Sequence, residues 1–385
     1  MQPGRLSPTF LDRRAAVVHD WFQGYHGSER VAHVMRRDLF HPNRPADVYT
    51  FHAAHELLPS DLSQAIVGES SLARLPGIRQ RGHDPGRWRY LLPYMPYYFR
   101  RLDLSQYDLV ISSSHACASH VRPEPDATHV VYCYTPMRYA WLPETDTRSV
   151  GGLKASALRA ITRGFRGIDR SAAQRPDAFV AISTAVQERI ARFYGRESHV
   201  IPAPVDVDEC NATQVKDEGH FLWVHRLVSY KRPEVVAEAF RGLPFRLTMV
   251  GIGPLESRMR ASLPPNVELL NWISREDLLN LYATASGFIH IAEEDFGITM
   301  VEALASGTPV IALNRGGARD IVRDGVDGVV IERPDAITLR KAVVDVAARQ
   351  WEPQTLASRA QEFSREAFVQ RMTRFLVDVE SRGRL

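Results

Sequence analysis

The sequence has little of several features that would place it in a special class. Its three cysteines, Cys117, Cys133 and Cys210, form no CxxC pair and no metal-ligand spacing. Such a sparse, odd set argues against a disulfide framework and for a reducing compartment. No window approaches the roughly 18 apolar residues of a membrane-spanning helix. The N-terminus also lacks the apolar stretch of a signal peptide. These absences predict a cytoplasmic globular protein.

Basic and acidic residues are also nearly equal in number. The 48 Lys and Arg residues face 45 Asp and Glu residues, and the formal net charge of +3 is too low to predict a nucleic-acid partner. A slight basic excess fits an anionic small ligand, a weak preference for a membrane surface, or plain variation in surface composition. At 385 residues the chain exceeds the usual domain of roughly 100–200 residues, so we expect two domains.

Short apolar runs alternate with amphipathic helical stretches along most of the chain. This pattern predicts parallel sheets covered by helices. The predicted strands of the N-terminal half are 15–19, 107–112, 129–133 and 178–182, with a helix beginning near Ser28. Those of the C-terminal half are 221–224, 246–250, 267–270, 287–291, 309–312 and 328–331, with helices such as 234–240 and 275–283 between them. A proline-rich segment at 201–205 separates two Rossmann-like domains, and the ligand cleft is expected between them.

The densest group of candidate functional residues lies in the segment 292–310. A predicted strand ends in acidic residues, Gly297 follows, and a helix opens at about Ile298. Gly297 lets the backbone approach a ligand closely, and the first amides of the helix suit a diphosphate. Glu302 can accept the vicinal hydroxyls of a ribose, and Glu294 can reach a sugar ring. Acidic residues near a helix N-terminus also stabilise its dipole, but together these features favour a binding site.

Three other segments add candidate residues. Arg226 and Lys231 follow a predicted strand, where they could neutralise a pyrophosphate leaving group, although an isolated pair is otherwise a solvated face. The turn around Gly27 is similar to a phosphate-binding glycine loop but lacks a full GxGxxG. His115, at another strand end, could contact a reacting sugar. The sequence contains no H-E-x-x-H, Walker A, G-x-S-x-G or D-x-D motif, and absence of the last favours protein cations over Mg²⁺.

Residues 79–101 interrupt the strand–helix pattern. They interleave six arginines with six aromatic residues, and three prolines prevent one long helix. Basic and aromatic residues together suit an anionic membrane surface or a lipid-phosphate acceptor. We therefore place Arg87, Trp88, Arg89 and Arg100 on an acceptor or membrane side. The alternative is an irregular helical stretch whose aromatic residues are core.

These segments resemble the retaining glycosyltransferase family 4, whose members have the GT-B fold of two facing Rossmann-like domains. The family's E-x7-E signature is matched by Glu294 and Glu302 in EEDFGITMVEALASGTPVIA, and HRLVSYKRPEVVAEAF resembles its diphosphate-binding segment. HDWFQGYHGSERV resembles its glycine loop, YDLVISSSHACA the segment of the family histidine, and YCYTPMRYAW a bacterial mannosyltransferase-like branch. The resemblance covers residues 15–375. This branch usually has His at Tyr134 and Asp at Leu142, which leaves the sugar and the acceptor open.

The resemblance implies roles for the matched residues. Arg226 and Lys231 would hold the diphosphate, Glu302 the ribose and Glu294 the donor sugar, while His115 would lie beside the anomeric carbon. Of these, His115, Arg226, Lys231 and Glu294 form the implied catalytic set. The implied donor-binding residues are Gly27, Arg226, Lys231, Phe296, Gly297, Ile298 and Glu302. Neither a metal nor another cofactor is implied, because the nucleotide sugar is a co-substrate.

The resemblance also implies a domain plan and an activity. Residues 14–205 would be the acceptor-side domain, 206–364 the donor-side domain, and 365–385 a helix that crosses back to the first domain. The lack of an apolar stretch separately predicts a flexible tail over residues 1–13. The activity would be metal-independent, retaining transfer of a hexose, favoured as mannose from GDP-mannose. The acceptor would be a lipid-linked glycan or an oligosaccharide of surface polysaccharide or lipopolysaccharide biosynthesis, and the cytoplasmic protein could attach peripherally to the inner membrane face.

Other activities remain open on the same fold. They are a UDP-sugar-dependent transferase of the same family, a nucleotide-sugar epimerase that needs no acceptor, and a non-catalytic sugar-binding protein. A nicotinamide dehydrogenase also fits Rossmann patterning, but the incomplete glycine fingerprint argues against it.

Overall fold

The chain forms two compact units in the computed structural model, which describes residues 11–78, 87–141, 164–210 and 220–382. The first unit contains the residues up to Ile182, Val186–Pro202 and the residues from Phe368 onward. The second contains Ser183–Ala185 and Ala203–Ala367. Each unit is built on one parallel sheet, as the alternation of apolar runs and helical stretches predicted.

The sheet of the first unit has seven strands in the order β3-β2-β1-β4-β5-β6-β7, all paired in parallel. Its strands are β1 Ala15–His19, β2 Asp47–Thr50, β3 Ile66–Glu69, β4 Leu109–Ser114, β5 Thr128–Cys133, β6 Ala178–Ala181 and β7 His199–Val200. Every residue of β1 and β4 is buried, as expected for central strands with helices on both faces.

Helices and short 3₁₀ turns connect these strands. The α-helices of this unit are Gly27–Asp38, Ser60–Ala65, Met95–Arg100, Arg138–Trp141, the helical residues 164–172, Thr184–Tyr194 (which begins in the second unit) and the greater part of Arg365–Arg382. The 3₁₀ turns are His55–Leu57, Ser71–Arg74, Trp88–Tyr94 and Ala118–His120. None of the helices in the described ranges is long and apolar enough to cross a membrane.

The sheet of the second unit has six strands in the order β10-β9-β8-β11-β12-β13, again all parallel. Its strands are β8 His220–Val224, β9 Arg246–Val250, β10 Val267–Leu270, β11 Gly287–His290, β12 Val310–Leu313 and β13 Gly328–Ile331. Its helices are Pro233–Phe240, Glu256–Arg260, Arg275–Thr284, Ile298–Ala305, Ala318–Ile321, Ala336–Ala348 and Pro353–Gln361, with 3₁₀ turns Val207–Glu209 and Ser229–Lys231. One core cluster packs alternate residues of the central strands, such as Trp223, against Phe240 and Val343 of the helices Pro233–Phe240 and Ala336–Ala348.

All ten predicted strands are present within two residues at each end, and β2, β3 and β7 were missed. The missed strands carry no continuous apolar run, since β2 (DVYT) and β3 (IVGE) contain polar residues or glycine and β7 has only two residues. The prediction of a flexible tail over 1–13 is wrong for its last three residues. Leu11 is 7% exposed and its N–H donates to the carbonyl of Leu39 at 3.0 Å, while Arg13 pairs with Glu380 at 3.3 Å. Residues 1–10 lie outside the described residues.

From Phe368 onward, the last helix is part of the first unit and packs against its strands. Phe368 packs against the ring of Tyr132 with centroids 5.8 Å apart, and Phe375 stacks on His199 at 5.5 Å. Two expectations stay predictions. They are the domain boundary at residue 205 and the arrangement in which the two domains face each other across a cleft.

Candidate functional site

The charged residues of the second unit meet where its strand order reverses. Strands β8 and β11 are neighbours at the centre of the sheet, and the chain leaves them in opposite lateral directions. Open parallel sheets bind ligands beyond the carboxyl ends of strands at such a switch point. His225 and Arg226 follow β8 directly, and the loop containing Glu294 follows β11.

Lys231 and Glu294 form an ion pair at this edge of the sheet. Lys231 lies in a 3₁₀ turn after β8 and its side chain is 5% exposed, whereas the Glu294 side chain is 27% exposed. Arg226, on the same connection as Lys231, is exposed. The structure therefore brings the predicted catalytic residues Lys231 and Glu294 together and places the second cation, Arg226, at the surface of the loop that carries Lys231.

The backbone after β11 is held close to the loop after β12 by two glycines. The Gly317 N–H donates to the carbonyl of Glu294 at 2.9 Å. A Cβ on Gly317 would lie 2.4 Å from the carbonyl oxygen of Phe296, and one on Gly316, whose φ is +63°, would lie 2.0 Å from that of Glu294. No side chain fits at either position without moving the loop that carries Glu294.

The helix that begins at Ile298 points its N-terminus into this loop. Gly297 precedes it with φ +119°, a left-handed conformation that favours glycine, and Phe296 is buried against Phe363 with ring centroids 5.9 Å apart. The first amides of the helix are therefore presented next to Glu294 by a rigidly anchored turn. This arrangement is the one that the sequence predicted from Gly297 and Ile298.

Glu302 lies further along the same helix and is nearly buried. One carboxylate oxygen accepts a hydrogen bond from Arg275 at 2.7 Å, and the other accepts one from the Tyr282 hydroxyl at 3.2 Å. Arg275 also pairs with Glu209 at 3.2 Å. Arg275 and Tyr282 were not identified from the sequence, where nothing but their helical spacing marks them. Their two hydrogen bonds fix the position of the Glu302 carboxylate.

Two histidines lie beside the Lys231–Glu294 pair; His290 is fully buried and His225 is half-buried. Burial, the neighbouring imidazole and the Lys231 ammonium hold the pKa of His225 well below its usual value. Burial and Lys231 lower the pKa of His290 to about 3. The two rings lie 4.7 Å apart, and His290 Nε2 is 3.3 Å from Glu294. Both imidazoles are therefore neutral at physiological pH, next to a cation.

In the first unit, Asp20 positions the predicted catalytic histidine. Asp20 follows β1, is fully buried, and accepts the N–H groups of residues 115–118 at 2.5–2.9 Å. Its carboxylate also lies 3.4 Å from Nδ1 of His115, and the Trp21 and His115 rings are perpendicular with centroids 4.4 Å apart. Asp20 was not identified from the sequence, although its place directly after a central strand is a signal.

The glycine turn lies at the same edge of this sheet. Gly27 is the first residue of its helix. The Tyr134 hydroxyl donates to the carbonyl of Ser28 at 3.0 Å and contacts the hydroxyl of Ser113, near the end of β4, at 2.9 Å. Gly27 and His115 are thus carried by neighbouring strands, β1 and β4, at the switch point of the first sheet.

The arginine-rich segment is divided between core and surface. Trp88, predicted on the acceptor or membrane side, is instead fully buried between His52, at 5.1 Å, and Trp21, at 5.2 Å. Its large apolar ring packs in the core of the first unit because that burial outweighs any interfacial preference. Arg87 is exposed and Arg100 is half-buried. The side chain of Arg89 and residues 79–86 lie outside the described residues.

Solved structures share this architecture of two parallel-sheet α/β domains. The structure of Anabaena HepE in complex with UDP and glucose has a TM-score of 0.63 at 19% identity, covering 94% of this chain and 99% of that one. Together with the charged residues at the carboxyl ends of the parallel strands, this fold defines the chain as a GT-B protein.

Family models narrow the assignment. Residues 25–209 match the model for Glycosyltransferase Family 4, and residues 210–367 match the model for Glycosyl transferases group 1. The two matches are contiguous, and the chain belongs to the glycosyltransferases of the family 4 type.

Curated relatives match over shorter stretches. A D-inositol 3-phosphate glycosyltransferase of Xylanimonas cellulosilytica is 27% identical over 220 residues, 49% of this chain and 53% of that protein. A GDP-mannose-dependent alpha-mannosyltransferase of Corynebacterium glutamicum is 32% identical over 114 residues, 29% of this chain and 27% of that protein. The chain spans about half the length of the first curated relatives it matches.

Proposed function

We propose that this chain is a retaining hexosyltransferase that takes its sugar from a nucleotide-diphosphate sugar. The observation that carries the proposal is the meeting of Lys231, Glu294 and the helix N-terminus at Ile298 at the switch point of the second sheet. An ammonium ion and helix amides bind phosphate oxygens, and a carboxylate accepts hydrogen bonds from sugar hydroxyls. Arg226 adds a second cation on the same loop.

Catalysis would consist mainly of stabilising the leaving group. As the bond to the anomeric carbon breaks, the sugar becomes oxocarbenium-like and negative charge grows on the β-phosphate. Arg226, Lys231 and the helix amides would interact more strongly with that charge than with the ground state, which is the condition for a rate increase. Attack on the same face as departure preserves the anomeric configuration, and the departing phosphate would take the proton of the acceptor hydroxyl.

The remaining residues would orient the two substrates. Glu302, held by Arg275 and Tyr282, would accept the ribose hydroxyls. His115, held by Asp20, would lie beside the anomeric carbon. The exposed Trp272, which follows β10, lies in the segment 271–273 where we place the nucleobase.

Mannose from GDP-mannose is the donor that we propose. The support is the similarity to the Corynebacterium glutamicum mannosyltransferase, whereas the bound UDP of HepE makes a UDP-sugar the alternative. We further propose a lipid-linked or oligosaccharide acceptor of surface polysaccharide assembly. The exposed Arg87 and Tyr90 would touch an anionic membrane surface.

Thermal shift of the purified chain against GDP, UDP, ADP and dTDP, with and without EDTA, tests the donor. Selective stabilisation by GDP that EDTA does not change supports the proposal, since a ligand that binds only the folded state raises the melting temperature. Selective stabilisation by UDP moves the donor to a UDP-sugar. No shift with any nucleotide at millimolar concentration contradicts the transferase proposal.

A turnover assay separates transfer from its alternatives. Incubation with GDP-mannose and candidate acceptors, followed by NMR of the product anomer, should show α-configured product from the α-configured donor. Isomerised donor without acceptor would identify an epimerase, and binding without turnover a sugar-binding protein.

Vesicle sedimentation tests the membrane contact. Binding to anionic vesicles should weaken with salt and in Arg87→Gln, because the attraction is screened over about 10 Å at 0.1 M salt. Salt-independent binding, or none, would contradict a role for this surface.

A further inference from the structure

Two histidines and a glutamate converge beneath the donor site of the second unit. His225 follows β8, His290 ends the adjacent strand β11, and Glu294 lies in the loop beyond it. One ligand atom from each of the three residues lies within 4.8 Å of the other two. Nothing in the proposed transfer reaction uses the two imidazoles.

The histidine ring nitrogens of this group are buried without ordinary partners. Over the described ranges, Nε2 of His225 and both ring nitrogens of His290 have no hydrogen bond. His290 is 0% exposed, and its Nε2 lies 3.3 Å from the Glu294 carboxylate without forming a hydrogen bond. Burial of unpaired polar nitrogens costs free energy, so their convergence on a carboxylate points to a cationic ligand.

In the structure the cation next to this group is Lys231. Its ammonium pairs with Glu294 and lies near enough to both imidazoles to repel their protonation. An ammonium ion has no lone pair and donates protons, whereas a transition metal ion accepts lone pairs from both nitrogens and the carboxylate.

We propose that His225, His290 and Glu294 form a binding site for a divalent transition metal ion of the Zn²⁺ type, which competes with the Lys231 ammonium. Two imidazoles and a carboxylate are a ligand set that suits zinc, and Mg²⁺ prefers oxygen ligands. Zinc–nitrogen bonds of about 2.0–2.1 Å require the ligand atoms to move closer together than 4.8 Å. Glu294, which is 27% exposed and lies in a loop, provides both that movement and the route of entry.

Occupation of this site would block donor binding. The bound ion would take Glu294 from Lys231 and place a second positive charge beside the displaced ammonium. Lys231 would then leave the position from which it reaches the diphosphate. This inhibitory consequence rests on the proposed function, whereas the binding of the metal ion does not.

Calorimetric titration of the nucleotide-free full chain with Zn²⁺ tests the binding. One site should appear, and Mg²⁺ should produce none. His290→Phe keeps an aromatic ring in the core and should weaken this site at least about tenfold, since even loss of an outer partner of a ligand costs 10–100-fold. His55→Ala is the matched control, because His55 also lies beside a carboxylate, Glu69, at 3.4 Å. Equal zinc affinity in wild type and His290→Phe would overturn the proposal.

A second variant keeps the test independent of any folding defect in His290→Phe. Lys231→Ala removes the competing ammonium and should bind Zn²⁺ more tightly than the wild type. Weaker or unchanged binding in Lys231→Ala would contradict the competition.

If the transferase proposal holds, Zn²⁺ should also raise the apparent KM for the donor in wild type and much less in His290→Phe. A failed transferase assay would leave the calorimetric result unaffected.

Discussion

Replacing Lys231 with alanine removes the buried ammonium at the centre of the donor site. If this cation stabilises the charge that develops on the leaving phosphate, kcat/KM should fall by about 10²–10³, or about 2.7–4 kcal/mol, as for the loss of one oxyanion-hole donor. The assay is initial-rate transfer from GDP-mannose at saturating acceptor, accompanied by the melting temperature. Arg258→Ala removes an exposed cation that pairs with Glu234 in the same unit and serves as the control.

The ion pair with Glu294 offers a second explanation that the experiment must separate. Loss of Lys231 leaves the Glu294 carboxylate without its partner, so its negative charge alone could repel the diphosphate. The double variant Lys231→Ala/Glu294→Gln removes that charge, and interacting residues show their coupling in such a cycle. If Lys231 contacts the diphosphate, the double variant stays at least tenfold below Glu294→Gln. Near-wild-type turnover of Lys231→Ala, at an unchanged melting temperature, would refute the role.

Three further predictions concern stability and positioning. Burial lowers the folded-state pKa of His19, His129 and His290 to about 3, from 6.5 in the unfolded chain, so the unfolded state takes up protons first. Stability should therefore be full above pH 6.5 and fall by up to about 1.4 kcal/mol per pH unit for each histidine below it, and a flat melting temperature from pH 7 to 5.5 would contradict this. Gly317→Ala should cost about 1–3 kcal/mol and weaken donor binding, because its Cβ meets the carbonyl of Phe296; unchanged melting and nucleotide affinity would contradict that contact. Asp20→Ala should unpair the N–H groups of residues 115–118 and lower kcat as well as the melting temperature, and normal kcat in the folded variant would remove Asp20 as a positioning residue.

The sequence was sufficient for the class of fold and for much of the candidate site. Buried parallel strands are continuous apolar runs, and β9, Arg246–Val250, was predicted to the residue for this reason. Parallel strands also end at a common edge, so the sequence alone places Arg226, Lys231 and Glu294 on one side of the sheet. The left-handed Gly297 and the helix after it follow from local chemistry alone.

Only the tertiary structure decided contacts between residues that are distant in the chain. Trp88 was predicted at a surface because aromatic and basic residues are interleaved around it. Such interleaving occurs both at a membrane interface and at the margin of a core, so the pattern does not distinguish the two. Its packing against Trp21 and His52 was decided by the fold of the whole unit. The short edge strand β3 likewise forms because β2 offers it a partner, and its four residues carry no pattern of their own.

His225 and His290, the histidines beneath Lys231, are an example within the site of a contact that only the tertiary structure decided. Each is an ordinary residue at the end of an apolar run, and nothing in the chain between His225 and His290 links them. They meet because β8 and β11 are neighbours in the sheet, and their neutrality follows from burial next to an ammonium. Local sequence therefore determined which residues reach the edge of the sheet, and strand order determined which of them touch, since pairing between distant strands is a property of the complete fold.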